Sequence, residues 1–179
     1  MTQHEYVFVA VSIILGLAIT RLLHTIGMLT RAHRRLAFHW ASAIWGLTVL
    51  AFTLQLWWVG WGLRELANWS FADFLTLVVA SIFIYGAAEM ALPVPDEDSL
   101  DMLAHNRSLG RLSALSMLAY FALGPYFNLV MMNNPLLPSL VVPAIGIALM
   151  GLVMALPKLF PTWSLLFAGY AGFVVYATA

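Results

Sequence analysis

Six nearly uncharged apolar runs, at residues 6–30, 38–63, 71–92, 111–132, 140–156 and 160–178, account for most of this chain and constrain its fold more than any other feature. A helix crosses a hydrocarbon core of roughly 30 Å in about 20 residues, and each run is close to that length. The runs are continuous, whereas the strands of a membrane barrel alternate apolar and polar residues over about ten positions. The expected fold is therefore all-α: a polytopic membrane protein, a six-transmembrane-helix bundle forming one integral membrane domain over residues 1–179. Composition agrees, with 63% hydrophobic and 9% charged residues against roughly 45–50% and 25% in soluble domains.

The same composition removes several kinds of chemistry. There is no cysteine, which excludes disulfides, thiolate metal sites and redox thiols. A formal net charge of zero argues against nucleic acid as a partner. No nucleophile motif, phosphate loop or metalloprotease pair is present, so neither a metal, a cofactor nor a catalytic residue is assigned.

Orientation follows from the loops, because Lys and Arg accumulate on the cytoplasmic side. Arg31, Arg34, Arg35, Arg107, Arg111 and Lys158 fall on one side and Arg64 on the other. Both termini are thus expected outside, in the periplasm if the membrane is a bacterial inner membrane. The first run has no basic region before it and no small-residue cleavage site after it, so it is expected to be retained, with the mature chain keeping Met1 or Thr2. Tyr6, Trp57, Trp58, Trp61, Trp69, Tyr126 and Tyr176 are expected to form the outer aromatic belt, and Trp40 and Trp163 the inner one.

Within the spans, small and polar residues recur every four positions: Ser12, Gly16, Thr20 and His24 in the first, Ser116, Tyr120, Gly124 and Asn128 in the fourth, Ser164, Ala168, Gly172 and Tyr176 in the sixth. In lipid, where burial of apolar surface gives no drive, such ridges let helices approach closely. The second span carries Ala41, Thr48, Gln55 and Gly62 on one face. Gly124-Pro125 is expected to kink the fourth span, since proline lacks an N–H and clashes with the preceding turn. Counted from the inner span starts, Gln55 and Asn128 both lie ~25 Å in and form an expected outer polar pair.

Arg21 and Glu89 are the formal charges well inside the spans, where ionisable groups pair or face a cavity. With His24 they fall ~22–27 Å from the outer ends, as one expected ion-pair layer in the inner half. That layer reads either as charge cancellation or as a proton-responsive site on a transport path. Histidines near the inner side also raise haem, and less directly quinone, but His24 and His39 fall at different depths. The acidic stretch Asp96-Glu97-Asp98-Ser99 has no EF-hand spacing; Asp98 or Ser99 is expected to cap a short amphipathic helix. A 3+3 inverted repeat is matched only faintly between the halves.

Four segments, Val11–Leu23, Gln55-Leu56-Trp57-Trp58, Tyr85–Pro93 and His105-Asn106-Arg107, together resemble an uncharacterised group of small bacterial multi-span inner-membrane proteins. The resemblance implies architecture and inner-membrane location, and no activity. Two functions follow as expectations: a small-solute or ion transporter or channel-like protein using the polar layers, or a structural or accessory subunit. Its partners are the lipid bilayer and either further copies of itself or a larger membrane complex.

Overall fold

The computed structural model describes residues 2–66, 68–94 and 100–178. Six helices in it are long and apolar enough to cross a membrane: α1 (Gln3–Arg31), α2 (Trp40–Gly62), α3 (Phe71–Glu89), α5 (Gly110–Met131), α6 (Leu136–Ala155) and α7 (Phe160–Thr178), with a short α4 (Met102–Ser108) between α3 and α5. Each expected span is present. Some ends shift: α3 stops at Glu89, and α6 starts at Leu136 rather than Leu140.

Local capping explains several of these boundaries. Thr2 and Ser70 open α1 and α3 with reciprocal capping boxes to Glu5 and Asp73, which satisfy amide protons that the first turn leaves free. His39 opens α2 by accepting from the Ala41 amide. Asn133 takes a left-handed backbone, φ 51°, a conformation Asn tolerates better than most residues, and this ends α5 ahead of Pro135.

Helices α2, α3, α5, α6 and α7 form a ring in which each packs on its neighbours, and α1 lies against the outside of α2 and α3. The ring has a terminal end, where Thr2 and Thr178 lie, and a basic end, where the loops with Arg31, Arg34, Arg35, Arg107, Arg111 and Lys158 lie. Its centre toward the basic end is filled by aromatic rings. Trp45 packs 4.9 Å from Phe167 and 5.3 Å from Phe160, and Phe52 stacks on Phe167 at 5.4 Å.

A buried hydrogen-bond chain ties three helices at this level. The Trp45 indole N–H donates to Ser113 Oγ at 3.0 Å, and the Ser113 hydroxyl donates to the Ala87 carbonyl at 2.9 Å. All three residues are fully buried, so the chain satisfies polar groups that lipid and packed rings would leave bare.

The basic end is covered by the connection from α3 to α5. Strands β1 (Leu36–Ala37) and β2 (Leu100–Asp101) pair in parallel. Asp101 then caps α4, accepting from the Leu103 and Ala104 amides. The cap is therefore Asp101, because the chain is still extended at β2; Asp96, Glu97, Asp98 and Ser99 lie outside the described residues. Ser42 donates to the Met102 carbonyl and Asn106 to the Ala91 carbonyl, fastening α4 under the ring. Burial pushes the His105 imidazole below its usual pKa, opposed in part by a hydrogen bond to the Met90 backbone.

Ser113→Ala is expected to lower thermal stability in detergent by about 1–3 kcal/mol, because the buried Trp45 N–H loses its acceptor. Ser108→Ala, at an exposed position, is the control and is expected to leave the melting temperature unchanged.

Candidate ligand cavity

At the terminal end the ring does not close. Between α2, α5, α6 and α7 lies a partly open cavity of about 650 Å³, within the range of small-molecule sites. Phe52, Phe121 and Tyr170, all buried, form its deep part, and Ser139, also buried, lies one turn from Pro135. Its mouth is set by exposed residues of the helix ends and the Asn134-Pro135 connection, with Trp58 and Trp61 about 60% exposed. From Phe52 to Trp61 the α2 wall is ~14 Å deep. No Asp, Glu, Lys, Arg or His is among the lining residues.

Helix α5 is interrupted where it lines the cavity. Pro125 cannot donate to the Phe121 carbonyl, and the helix breaks at Leu123, turns once over Gly124–Tyr126 and continues as a π-helical turn over Phe127–Met131. Such wide turns are costly and concentrate at functional sites. Asn128 braces the wide turn: its side-chain amide donates to the Gly124 carbonyl at 2.9 Å and accepts from Asn134 at 3.2 Å. On the other side of α5, the Tyr126 hydroxyl donates to Asp73 at 2.9 Å, holding the displaced turn against α3.

Helix α6 supports the wall by close approach. A methyl group on Gly124 would lie 2.6 Å from Pro143 Cγ, and one on Gly146 would lie 2.7 Å from the Phe121 ring. Pro143 sits inside α6 and removes a second backbone donor. The Tyr170 hydroxyl donates to the Val142 carbonyl at 2.9 Å, bringing α7 onto the same turn.

Gln55 and Asn128 both line this cavity, but they do not bond to each other. Gln55 Oε1 accepts from the Tyr120 hydroxyl at 3.2 Å. Their depths also differ. Trp45 and Ser113 mark a common level; Gln55 is ten residues beyond Trp45 (~15 Å) and Asn128 fifteen beyond Ser113 (~22 Å), so Asn128 is ~7 Å nearer the mouth. Counting both from their span starts misses this, because His39 lies six residues before the shared level and Arg111 only two.

Arg21 and Glu89 do form an ion pair, Nη2 to Oε1 at 2.9 Å, but with side chains 25% and 40% exposed. The pair lies on the lateral surface where α3 ends, apart from the cavity. His24 is exposed, and among the described residues it makes no hydrogen bond or ring contact with them. The first ridge turns outward for the same reason: α1 buries Val11, Leu15, Ala18 and Leu22 against the ring, which leaves Gly16, Thr20 and His24 on its other side. Gly16 and Gly27 have nothing within 4 Å of where a Cβ would sit. The ridges of α2 and α5 do face neighbours, with Ala41 and Thr48 buried and the Ser116 hydroxyl close against Gly86. His39, the other residue considered for haem, caps α2 and stacks on Trp40.

Tyr120, Tyr170, Phe52 and Phe121 are the cavity residues that sequence reasoning left out of its site. Tyr120 had a signal in the stride-of-four ridge; the others read only as apolar span. Comparison with protein-family models, curated proteins and solved structures gives no match for this chain.

Gly146→Ala is expected to displace the Phe121 ring and lower stability by about 1–3 kcal/mol, the usual cost of overpacking. Gly172→Ala, with open space at its Cβ position, is expected to be neutral. Paired thermal denaturation in one detergent measures both.

Proposed function

We propose that this chain is a multi-pass membrane protein of transporter type, in which the α2/α5/α6/α7 cavity is the station that receives a small solute at the terminal end. The supporting observation is one-sidedness. The cavity is open beside an interrupted, proline-kinked helix, while the opposite half of the ring is closed by Trp45, Phe160 and Phe167 and covered by α4. Movement of α5 about Gly124-Pro125 is the step that would relay solute past that plug, since hinges absorb such changes at interrupted elements.

On this reading the polar groups that meet solute are Gln55 and its neighbours, and Arg21, His24 and Glu89 lie off the path. We take the basic end as cytoplasmic from the distribution of Arg and Lys, with the mouth and both termini outside. An inner-membrane location follows the resemblance of Val11–Leu23 and the associated segments.

The natural lack of cysteine makes the test direct. In sealed vesicles, Val59→Cys in the cavity wall is expected to react with an externally added impermeant maleimide at least about tenfold faster than Phe167→Cys in the plug, since thiol reaction follows access. Equal rates, or labelling of Val59→Cys only from the other side, would overturn the cavity or its orientation.

A second reading, self-association, is favoured by the outward face of α1. Thr20, His24 and the half-exposed Arg21–Glu89 pair lie there, and ionisable groups facing lipid are costly. Arg21 and Glu89 lie side by side, so a twofold axis along the membrane normal would keep the pairs of two copies level with each other. Thr20→Cys is expected to cross-link copies under mild oxidation, which requires Cα atoms within about 7 Å; absence of the cross-linked dimer in native membranes counts against it.

A further inference from the structure

We infer that the solute this cavity takes is uncharged and ring-bearing and carries a carbonyl-type acceptor. The inference rests on the reading of the cavity as a solute site and goes on to its chemical class. Three observations carry it.

The first is charge. The lining holds no formally charged or imidazole side chain, and an ion moved from water into such a wall would find no partner for its charge. The second is shape. Phe52, Phe121, Tyr120 and Tyr170 meet at the deep end with ring centroids 5.2–6.2 Å apart, and Phe127 lines the α5 wall. Ring edges and faces of this kind favour a flat apolar body.

The third is the account of donors in the deep part. The Tyr170 hydroxyl is spent on Val142 and the Tyr120 hydroxyl on Gln55. Nearer the mouth, the Ser139 hydroxyl is spent on Pro135, the Trp58 indole on Thr178 and one N–H of Asn128 on Gly124; the second Asn128 N–H, the Asn134 amide and the Trp61 indole also belong to that outer part. Because Tyr120 donates to Gln55 Oε1, the Gln55 amide nitrogen is held on the other branch of the side chain, and among the described residues it has no protein acceptor. The deep part of the cavity therefore presents an amide donor beside aromatic rings. A carbonyl oxygen on a flat molecule satisfies that donor, whereas an ammonium group meets it with like polarity and a carboxylate brings an uncompensated charge.

The test uses the Val59→Cys variant in nanodiscs and follows its alkylation by N-ethylmaleimide in the presence of four probes: naphthalene-2-carboxamide, naphthalene, 2-naphthoate and 2-naphthylmethylammonium. The carboxamide is expected to slow alkylation most, naphthalene less, and the two ions not at all. Adding Gln55→Leu is expected to weaken protection by the carboxamide about tenfold, the equivalent of one neutral hydrogen bond, while protection by naphthalene persists and reports an intact cavity. A thiol that does not react at all overturns the cavity reading itself. A reactive thiol protected equally by the ions, or by no probe, overturns the class of solute and leaves the cavity standing. Protection by the carboxamide that survives Gln55→Leu unchanged overturns the role given to the Gln55 amide.

Discussion

Lipid offers no partner to a freed backbone group, so a helix in a bilayer is interrupted only where it packs on protein or lines a cavity. The terminal half of this molecule is organised around two such interruptions, Pro125 and Pro143. Pro125 and Pro143 withhold the usual amide donors from the Phe121 and Ser139 carbonyls, and side-chain donors brace the turns beside them: Asn128 donates to the Gly124 carbonyl and Tyr170 to the Val142 carbonyl. The two interrupted helices meet closely where Gly124 faces Pro143, and the space between them and α2 and α7 is left open. Gly124 and Pro143 both line the cavity, which therefore lies against the two interruptions.

The basic half obeys the same constraint with the opposite result. Its helices are uninterrupted, and the space between them is filled by Trp45, Phe52, Phe160 and Phe167. A single hydroxyl, Ser113, accepts from an indole and donates to a carbonyl on a third helix. One small polar residue is enough there because it uses both its lone pair and its proton. The contrast between an open end beside proline-interrupted helices and a closed end filled by rings gives the bundle its polarity along its axis.

Charge is kept out of that axis. Arg21 and Glu89 meet at the rim where α3 stops, and the negative end of α3 gains a nearby guanidinium. Their partial exposure follows from the position of α1, which packs on α2 and α3 from outside and contributes nothing to the central space. Arg21 and Glu89 pair with each other, His24 bonds to neither, and none of the three lines the cavity. Helix periodicity gives the direction of a residue relative to its own helix, but not which side of that helix the rest of the bundle occupies.

The sequence by itself determined the helices, the breaks between them, the fourth-span kink and the separation of basic loops to one end. Each of these depends on local composition: apolar length, proline, capping residues and loop charge. Tertiary packing alone decided that α1 stands outside a five-helix ring, that Gln55 pairs with Tyr120 rather than Asn128, and that Phe52, Phe121 and Tyr170 border empty space while Phe167 and Trp45 are packed solid. Those outcomes depend on relative rotation and depth of helices that share no sequence neighbourhood. In a chain this uniformly apolar, the residue facing lipid, the residue in the core and the residue lining a cavity are often of the same type, and only their neighbours distinguish them.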